Sequence, residues 1–177
     1  MSAPGRVVHG ESLEVLGSLP EGSVDLIYVD PPFNTGKTRS HARIRVQASA
    51  DGTRTGFGGR SYAVTQGVTR RYADAFDDYS AWLEPRLAEA RRVLAEHGSL
   101  YLHLDYREVH YCKVMLDRVF GRANFVNEII WAYDYGGRGK RRWPAKHDKN
   151  LFYAPDAKKQ GFNIDEIERT PHKGPGL

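Results

Sequence analysis

Cysteine is almost missing from this chain. Cys112 stands alone among 177 residues, so neither a disulfide framework nor a cysteine-based zinc cluster can be built from it. A lone thiol on an apolar stripe serves as a small buried hydrophobe. Long apolar runs are absent as well. No stretch approaches the roughly 20 apolar residues of a membrane-spanning helix, and the opening residues, Met1 to Val8, lack the apolar core of a signal peptide. These absences lead to the expectation of a cytoplasmic protein with no membrane partner. What is present excludes global disorder: 40% of residues are apolar and 27% charged, enough to bury a core. The length suits one domain.

The net charge of +4 hides an uneven distribution. Between Lys37 and Arg71, eight basic residues (Lys37, Arg39, Arg43, Arg45, Arg54, Arg60, Arg70, Arg71) face a single acid, Asp51. Between Arg138 and Lys149, six (Arg138, Lys140, Arg141, Arg142, Lys146, Lys149) face Asp148 alone. The rest of the chain is therefore net acidic by eight charges. Two concentrated basic segments in an acidic scaffold form the pattern of a polyanion-binding surface, with two solvated loops as the plainer reading.

The apolar run Val24 to Val29 reads as a buried strand that Pro31 and Pro32 terminate, and Val7-Val8 as the start of another. Ser12 is placed to cap a short helix carrying Leu13, Leu16 and Leu19, closed by Pro20 and Gly22. From Lys37 to Tyr72 the pattern dissolves into Gly, Ser, Thr and Arg, which predicts a long irregular or hairpin-containing insertion. Ser80 then caps an amphipathic helix bearing Leu83, Leu87, Ala90 and Leu94, with Pro85 in its first turns and Gly98 as its stop. Ser99 to Leu104 is the next strand. Asp105 follows it as Asp30 follows the first, and serves either as a pocket residue or as the cap of the next helix. That helix carries Val109, Cys112, Leu116 and Val119 and ends at Gly121. Glu128 to Tyr133 and Asn150 to Ala154 read as two further strands around the second basic segment. Strand and helix alternation predicts an α/β layer with a parallel sheet and right-handed crossovers, and such sheets collect ligands at the carboxyl ends of their strands.

The chemistry-bearing string is Asp30-Pro31-Pro32-Phe33-Asn34-Thr35-Gly36, directly after the first strand. An acid, two rigid residues and an aromatic ring at the ligand edge, followed by an Arg-rich segment, mark this string as the candidate ligand site. A proline-rich turn whose Asp30 merely bonds nearby amides is the plainer reading. His103, on its strand, reads as a core histidine.

Asp30-Pro31-Pro32-Phe33 resembles the hallmark of the amino-methylating DNA methyltransferases, and the extension through Gly36 resembles their β-class arrangement. Similarity continues in order along the chain: Gly10 to Leu16, His103 to Tyr106, Leu116-Asp117 with Phe120-Gly121, Asn127 to Trp131, and Lys146 to Asp148 with Leu151 to Tyr153. The resemblance implies a partial Rossmann-like, S-adenosylmethionine-dependent α/β sheet acting on double-stranded DNA in a restriction-modification setting, with no metal. It implies methyl transfer to the exocyclic amine of adenine. Asp30 and the Pro31 carbonyl accept hydrogen bonds from that amine, Pro32 keeps them rigid, and Phe33 stacks on the flipped base. Gly10, Glu11 and Asn34 fall at positions implied to contact cofactor. Glu11 replaces the usual aspartate, and a solvated acid before a helix is the other reading. Lys37 and Arg39 then flank the base pocket. Arg138, Lys140, Arg141, Arg142 and Lys146 track phosphates, helped by Gly136, Gly137 and Gly139, while Trp143 either stacks on a base or packs between strands.

The Phe-x-Gly-x-Gly turn of the resembled family is absent, and Phe57-Gly58-Gly59 does not match it. The expected organisation is therefore residues 1–177 as the N-terminal, target-base part of a methyltransferase domain. It carries a basic insertion at 37–72 and a DNA-contacting loop at 136–149, and its cofactor-binding half is absent. Such a part is expected to be weak or inactive alone, and a second chain supplying the missing half is an implied partner. A cytosine amino-methyltransferase and a non-enzymatic DNA-binding remnant are the alternative readings.

Overall fold

The computed structural model describes residues 5–49, 51–52, 54–55, 59, 61–134 and 140–167, with backbone alone for 39–44 and 66–73. In chain order its elements are α1 (Ser12–Gly17), β1 (Val24–Val29), β2 (Lys37–Ala48), β3 (Arg54–Thr55), β4 (Ser61–Asp74), α2 (Tyr79–Val93), β5 (Leu94–Leu104), α3 (Val109–Leu116), β6 (Phe125–Ala132) and β7 (His147–Tyr153). They fall into two units, Met1–Pro31 with Ser80–Leu177, and Pro32–Tyr79.

The first unit holds a four-stranded sheet in the order β1-β5-β7-β6. Strands β1 and β5 run parallel, with Val29 beside Leu102, as a helical crossover through α2 dictates. The expected all-parallel sheet is corrected here, because β7 pairs antiparallel with both β5 and β6. The described residues between β6 and β7 hold no helix, and β7 runs back between β5 and β6, which point the same way.

Alternation along β5 divides its faces. Leu100, Leu102 and Leu104 have no exposure, whereas Tyr101 and His103 between them are half-buried. Leu83, Leu87 and Ala90 of α2, and Val109, Cys112, Met115 and Leu116 of α3, complete the core. Enclosing each leucine contributes about 1.5–3 kcal/mol at most. Burial pushes the Cys112 thiol up to about 12, with Glu108 adding to the effect, so it stays protonated as an inert core group.

Several boundaries differ from expectation for local physical reasons. Glu11, not Ser12, caps α1, its Oε2 accepting from the Leu13 and Glu14 amides at 2.8 and 3.3 Å; a carboxylate there also meets the positive helix end. Val7 and Val8 form no strand, and Val7 is 98% exposed. Helix α2 begins at Tyr79 and stops at Val93, because Leu94 already pairs with Val24. Gly98 is thus no helix stop: a Cβ there would meet the Leu94 side chain and the Ala95 carbonyl of its own strand at 2.9 Å and the Val24 carbonyl of β1 at 3.1 Å, so glycine permits the close backbone packing there. After α3 a π-turn, Asp117–Gly121, shifts the helical register by one, and Phe120 rather than Val119 becomes the buried residue.

In the second unit the insertion takes its hairpin form. It is an antiparallel sheet in the order β2-β4-β3, whose long β2–β4 ladder runs from Lys37 opposite Asp74 to Ala48 opposite Tyr62. Gly52 sits where a Cβ would lie only 2.2 Å from the Tyr62 backbone, so no other residue fits that turn. Among the described residues no helix is long and apolar enough to cross a membrane.

Candidate functional site

The parallel register of β1 and β5 brings their carboxyl ends to one edge. Asp30 leaves β1 there, and Asp105 leaves β5. Because β6 points the same way and β7 starts from that edge, the segment linking Ala132 to His147, which carries most of the second basic run, opens there too. The ligand edge of the first unit therefore combines an acid at a strand end with a cationic loop.

Side-chain alternation puts Tyr28, Asp30, His103 and Asp148 on the face turned away from the buried leucines. The Tyr28 hydroxyl lies 3.0 Å from His103 Nδ1, and Asp30 Oδ1 lies 3.8 Å from that same nitrogen. On the opposite side of the ring, His103 Nε2 is 3.5 Å from Asp148 Oδ2. The Tyr133 hydroxyl donates to Asp148 Oδ1 at 3.4 Å. His103 and Asp148 side chains are each 18% exposed, whereas Asp30 is 61% exposed, so its carboxylate is presented to an incoming ligand. Reading His103 as core packing missed this. The signal was available in Leu102-His103-Leu104, since strand alternation turns a histidine between two core leucines to the other face.

Asp105 does not cap α3. It is buried, accepts from the Arg107 amide at 2.9 Å and pairs with the Arg107 guanidinium, because the chain completes a turn before the helix starts at Val109. That pairing carries Arg107 over the Tyr106 ring at 4.9 Å; Arg142, from the basic loop, lies 5.8 Å from the same ring and reaches its hydroxyl at 3.5 Å. Tyr106 and Arg107 are further residues that the sequence reading passed over. Trp143 is 95% exposed, which removes packing between strands as its role. Lys140 and Arg141 are exposed, and Lys146 donates to the Asp134 carbonyl at 2.8 Å. Arg138, Gly136, Gly137 and Gly139 lie outside the described residues.

Pro31 is buried and ends the first unit; Pro32, Phe33 and Asn34 belong to the second. The Pro32 carbonyl accepts from the Tyr79 hydroxyl at 2.8 Å. Asn34 has a positive φ of 51°, a conformation that asparagine tolerates, and its Oδ1 accepts from the Phe76 amide at 3.1 Å. Thr35 donates to Asp74, and the Gly36 amide donates to the Asp74 carbonyl at 2.8 Å. The tail of the motif is thereby pinned to the end of β4. Lys37 is exposed at the start of β2, and Arg39 follows in the same strand.

Gly10 and Glu11 stand at the start of α1. Glu11 receives the two α1 amides on Oε2, and Arg86 at 2.6 Å and Ser12 at 3.3 Å on Oε1. Desolvation works against its charge, but bonds from Arg86, Leu13 and Glu14 hold its carboxyl below the usual range. Its roughly four acceptor directions are filled.

Residues 24–176 match the family described as DNA methylase. The chain is 29% identical over 162 residues to DNA adenine methyltransferase YhdJ of Escherichia coli (strain K12), covering 91% of this chain and 45% of that protein. It is 28% identical over 168 residues to the type II methyltransferase M.HpaI of Haemophilus parainfluenzae, covering 95% and 44%. A third relative, the StyLTI Mod subunit of a type III restriction-modification enzyme from Salmonella typhimurium (strain LT2), is 31% identical over 128 residues, covering 69% of this chain and 19% of the relative. The chain thus spans less than half the length of these curated relatives. Among solved structures, a candidate DNA modification methylase from Thermus thermophilus matches with a TM-score of 0.51 at 18% identity, over 93% of this chain and 54% of its own. The PvuII cytosine-N4-specific DNA methyltransferase matches with a TM-score of 0.50 at 16% identity, over 84% and 48%. Both likenesses concern the fold. With the family match spanning all but the first 23 residues and the last, this chain belongs to the DNA methylase family.

Proposed function

We propose that this chain is the target-base part of a site-specific DNA methyltransferase that modifies the exocyclic amine of adenine in double-stranded DNA. The observation that carries the reading is the presentation of Asp30, followed by Pro31, at the same sheet edge from which the cationic loop opens. An adenine amine is a poor nucleophile because its lone pair is delocalised into the ring. Hydrogen bonds from that amine to the Asp30 carboxylate and the Pro31 carbonyl favour a tetrahedral nitrogen and localise the lone pair. Proline at 31 and 32 fixes the acceptors before the base arrives, so little reorganisation accompanies reaction. Extruding the base costs about a few kcal/mol; stacking on an aromatic ring, the role assigned to Phe33, returns about 1–3 kcal/mol. Arg142, Lys140, Arg141 and Trp143 supply phosphate attraction and stacking without sequence readout.

S-adenosylmethionine, which the family reading implies, supplies the electrophilic methyl group when bound. Glu11 does not fit as its holder, because its acceptor directions are filled by Arg86, Ser12 and two amides. Asn34 is likewise engaged through Oδ1 with Phe76. No step is assigned to Gly10, Glu11 or Asn34 on that account.

Nucleoside mass spectrometry of DNA incubated with this chain and S-adenosylmethionine tests the reading. The expected product is N6-methyladenine, at a low rate that Asp30→Ala reduces to background. N4-methylcytosine instead would move the reading to cytosine. Steeply salt-dependent DNA binding with no methylated nucleoside at all would make the chain a binding module.

A further inference from the structure

The imidazole of His103 stands between two carboxylates and touches a phenol, yet the amine-binding role of Asp30 does not by itself call for it. Three observations define its place. It sits on the same face and in the same register as Asp30, since Val29 pairs with Leu102 and the next positions are Asp30 and His103. Its Nδ1 has the Tyr28 hydroxyl at 3.0 Å and Asp30 Oδ1 at 3.8 Å. Its Nε2 has Asp148 Oδ2 at 3.5 Å, and Asp148 in turn accepts from Tyr133 at the root of the cationic loop.

We propose that His103 is the positioning residue of Asp30, its ring clamped by Tyr28 and Asp148 so that the exposed carboxylate is held in one orientation beside it. The inference rests on the role given to Asp30 above. A carboxylate that is 61% exposed on a strand end has little packing to fix its rotamer, and the ring 3.8 Å away, too far for a hydrogen bond, stands beside it and narrows its range. The ring itself is held by the Tyr28 hydroxyl at Nδ1 and by enclosure, its side chain being only 18% exposed. The ionisable groups facing it are Tyr28 and Asp30 from β1 and its end, and Asp148 from β7; Asn150, its direct partner in the β5–β7 ladder, is neutral.

The test uses the 177-residue chain itself and reads the Asp30 side-chain rotamer from NMR three-bond couplings in the wild type and in His103→Gln. The wild type should show one dominant rotamer and His103→Gln an average over several. Unchanged couplings in His103→Gln would overturn the proposal. A second arm measures fluorescence of a duplex carrying 2-aminopurine at the target base. His103→Asn keeps a polar atom near the place of Nδ1 and should preserve the response, whereas His103→Gln should weaken half-maximal binding about fivefold, the value of one lost hydrogen-bonding group. Equal responses in His103→Gln and wild type would also overturn the proposal. A wild-type chain that gives no fluorescence response breaks the base-binding reading instead, and the Asp30 couplings then decide the positioning role by themselves.

Discussion

Strand β5 carries two different surfaces on one stretch of backbone. Leu100, Leu102 and Leu104 have no solvent exposure, and they belong to the apolar core. Tyr101 and His103, interleaved with them, face the other way, and His103 meets Tyr28, Asp30 and Asp148 there. The covered face gains its free energy from removed apolar area, which is non-directional and tolerant of chemistry but not of volume. The opposite face buries Phe152 against Tyr101, but toward its carboxyl end it depends on direction: a proton donor must meet an acceptor at a set distance. The contrast extends to the ends of the sheet, where apolar side chains such as Leu26 on β1 and Trp131 on β6 are 60% and 61% exposed. A sheet with one sealed face and one open, polar-edged face is built to present groups as well as to hold itself together.

Mutations that separate the two faces test this contrast. The largest expected effect is complete loss of methylated nucleoside in Asp30→Ala with an unchanged thermal midpoint, read by mass spectrometry and calorimetry; a large drop in stability would mean that Asp30 is structural. Leu102→Ala, on the covered face, should destabilise by about 2–5 kcal/mol in urea denaturation while leaving the residual fold's DNA affinity intact.

Next in size is the Tyr153–Asp117 pair. The Tyr153 hydroxyl donates to Asp117 Oδ1 at 2.6 Å, and burial together with that contact pushes the phenol up. Desolvation would raise the Asp117 carboxyl, but bonds from Lys113 and Tyr153 hold it below its usual range. A depressed carboxyl contributes stability above its unfolded value and loses it as pH falls through the folded value. Stability of the wild type should therefore decline on acidification through the carboxylate range, and Asp117→Asn should flatten that decline in denaturation curves collected from about pH 6 to pH 3.

The smallest effect belongs to the cationic loop. Arg142→Ala should lower the slope of log affinity against log salt by about 1 and weaken binding of unrelated duplexes alike. A sequence-dependent loss would instead give Arg142 a role in base readout. Titration calorimetry with S-adenosylmethionine should show no micromolar binding to this chain, in line with the missing Phe-x-Gly-x-Gly turn and the filled acceptors of Glu11; micromolar binding would reopen Glu11 as a holder.

Much of this was legible in the chain. The apolar run before Asp30 announced β1 as a strand but not as a buried one, since it forms the sheet edge and none of its residues is buried; the 3.6-residue period marked the buried stripe of α2, and the Pro-Pro step showed where a strand must end. The Arg-rich insertion was legible only as either irregular or hairpin-containing, because strand pairing satisfies backbone groups whatever the side chains are, and a polar hairpin has little apolar alternation to mark it. His103 was misread for a related reason: a histidine between leucines looks like core until alternation and a neighbouring strand give it partners.

Local composition and period were enough to set which segments could bury apolar surface, where prolines and glycines had to interrupt them, and that positive charge gathers in two places. The antiparallel insertion of β7, the opening of the second basic segment at the carboxyl edge, and the meeting of Tyr28, Asp30, His103 and Asp148 came only with the folded arrangement. Those outcomes depend on strand order and register between segments as distant in the chain as Val29 and Leu102, and no local pattern encodes which strand becomes whose neighbour.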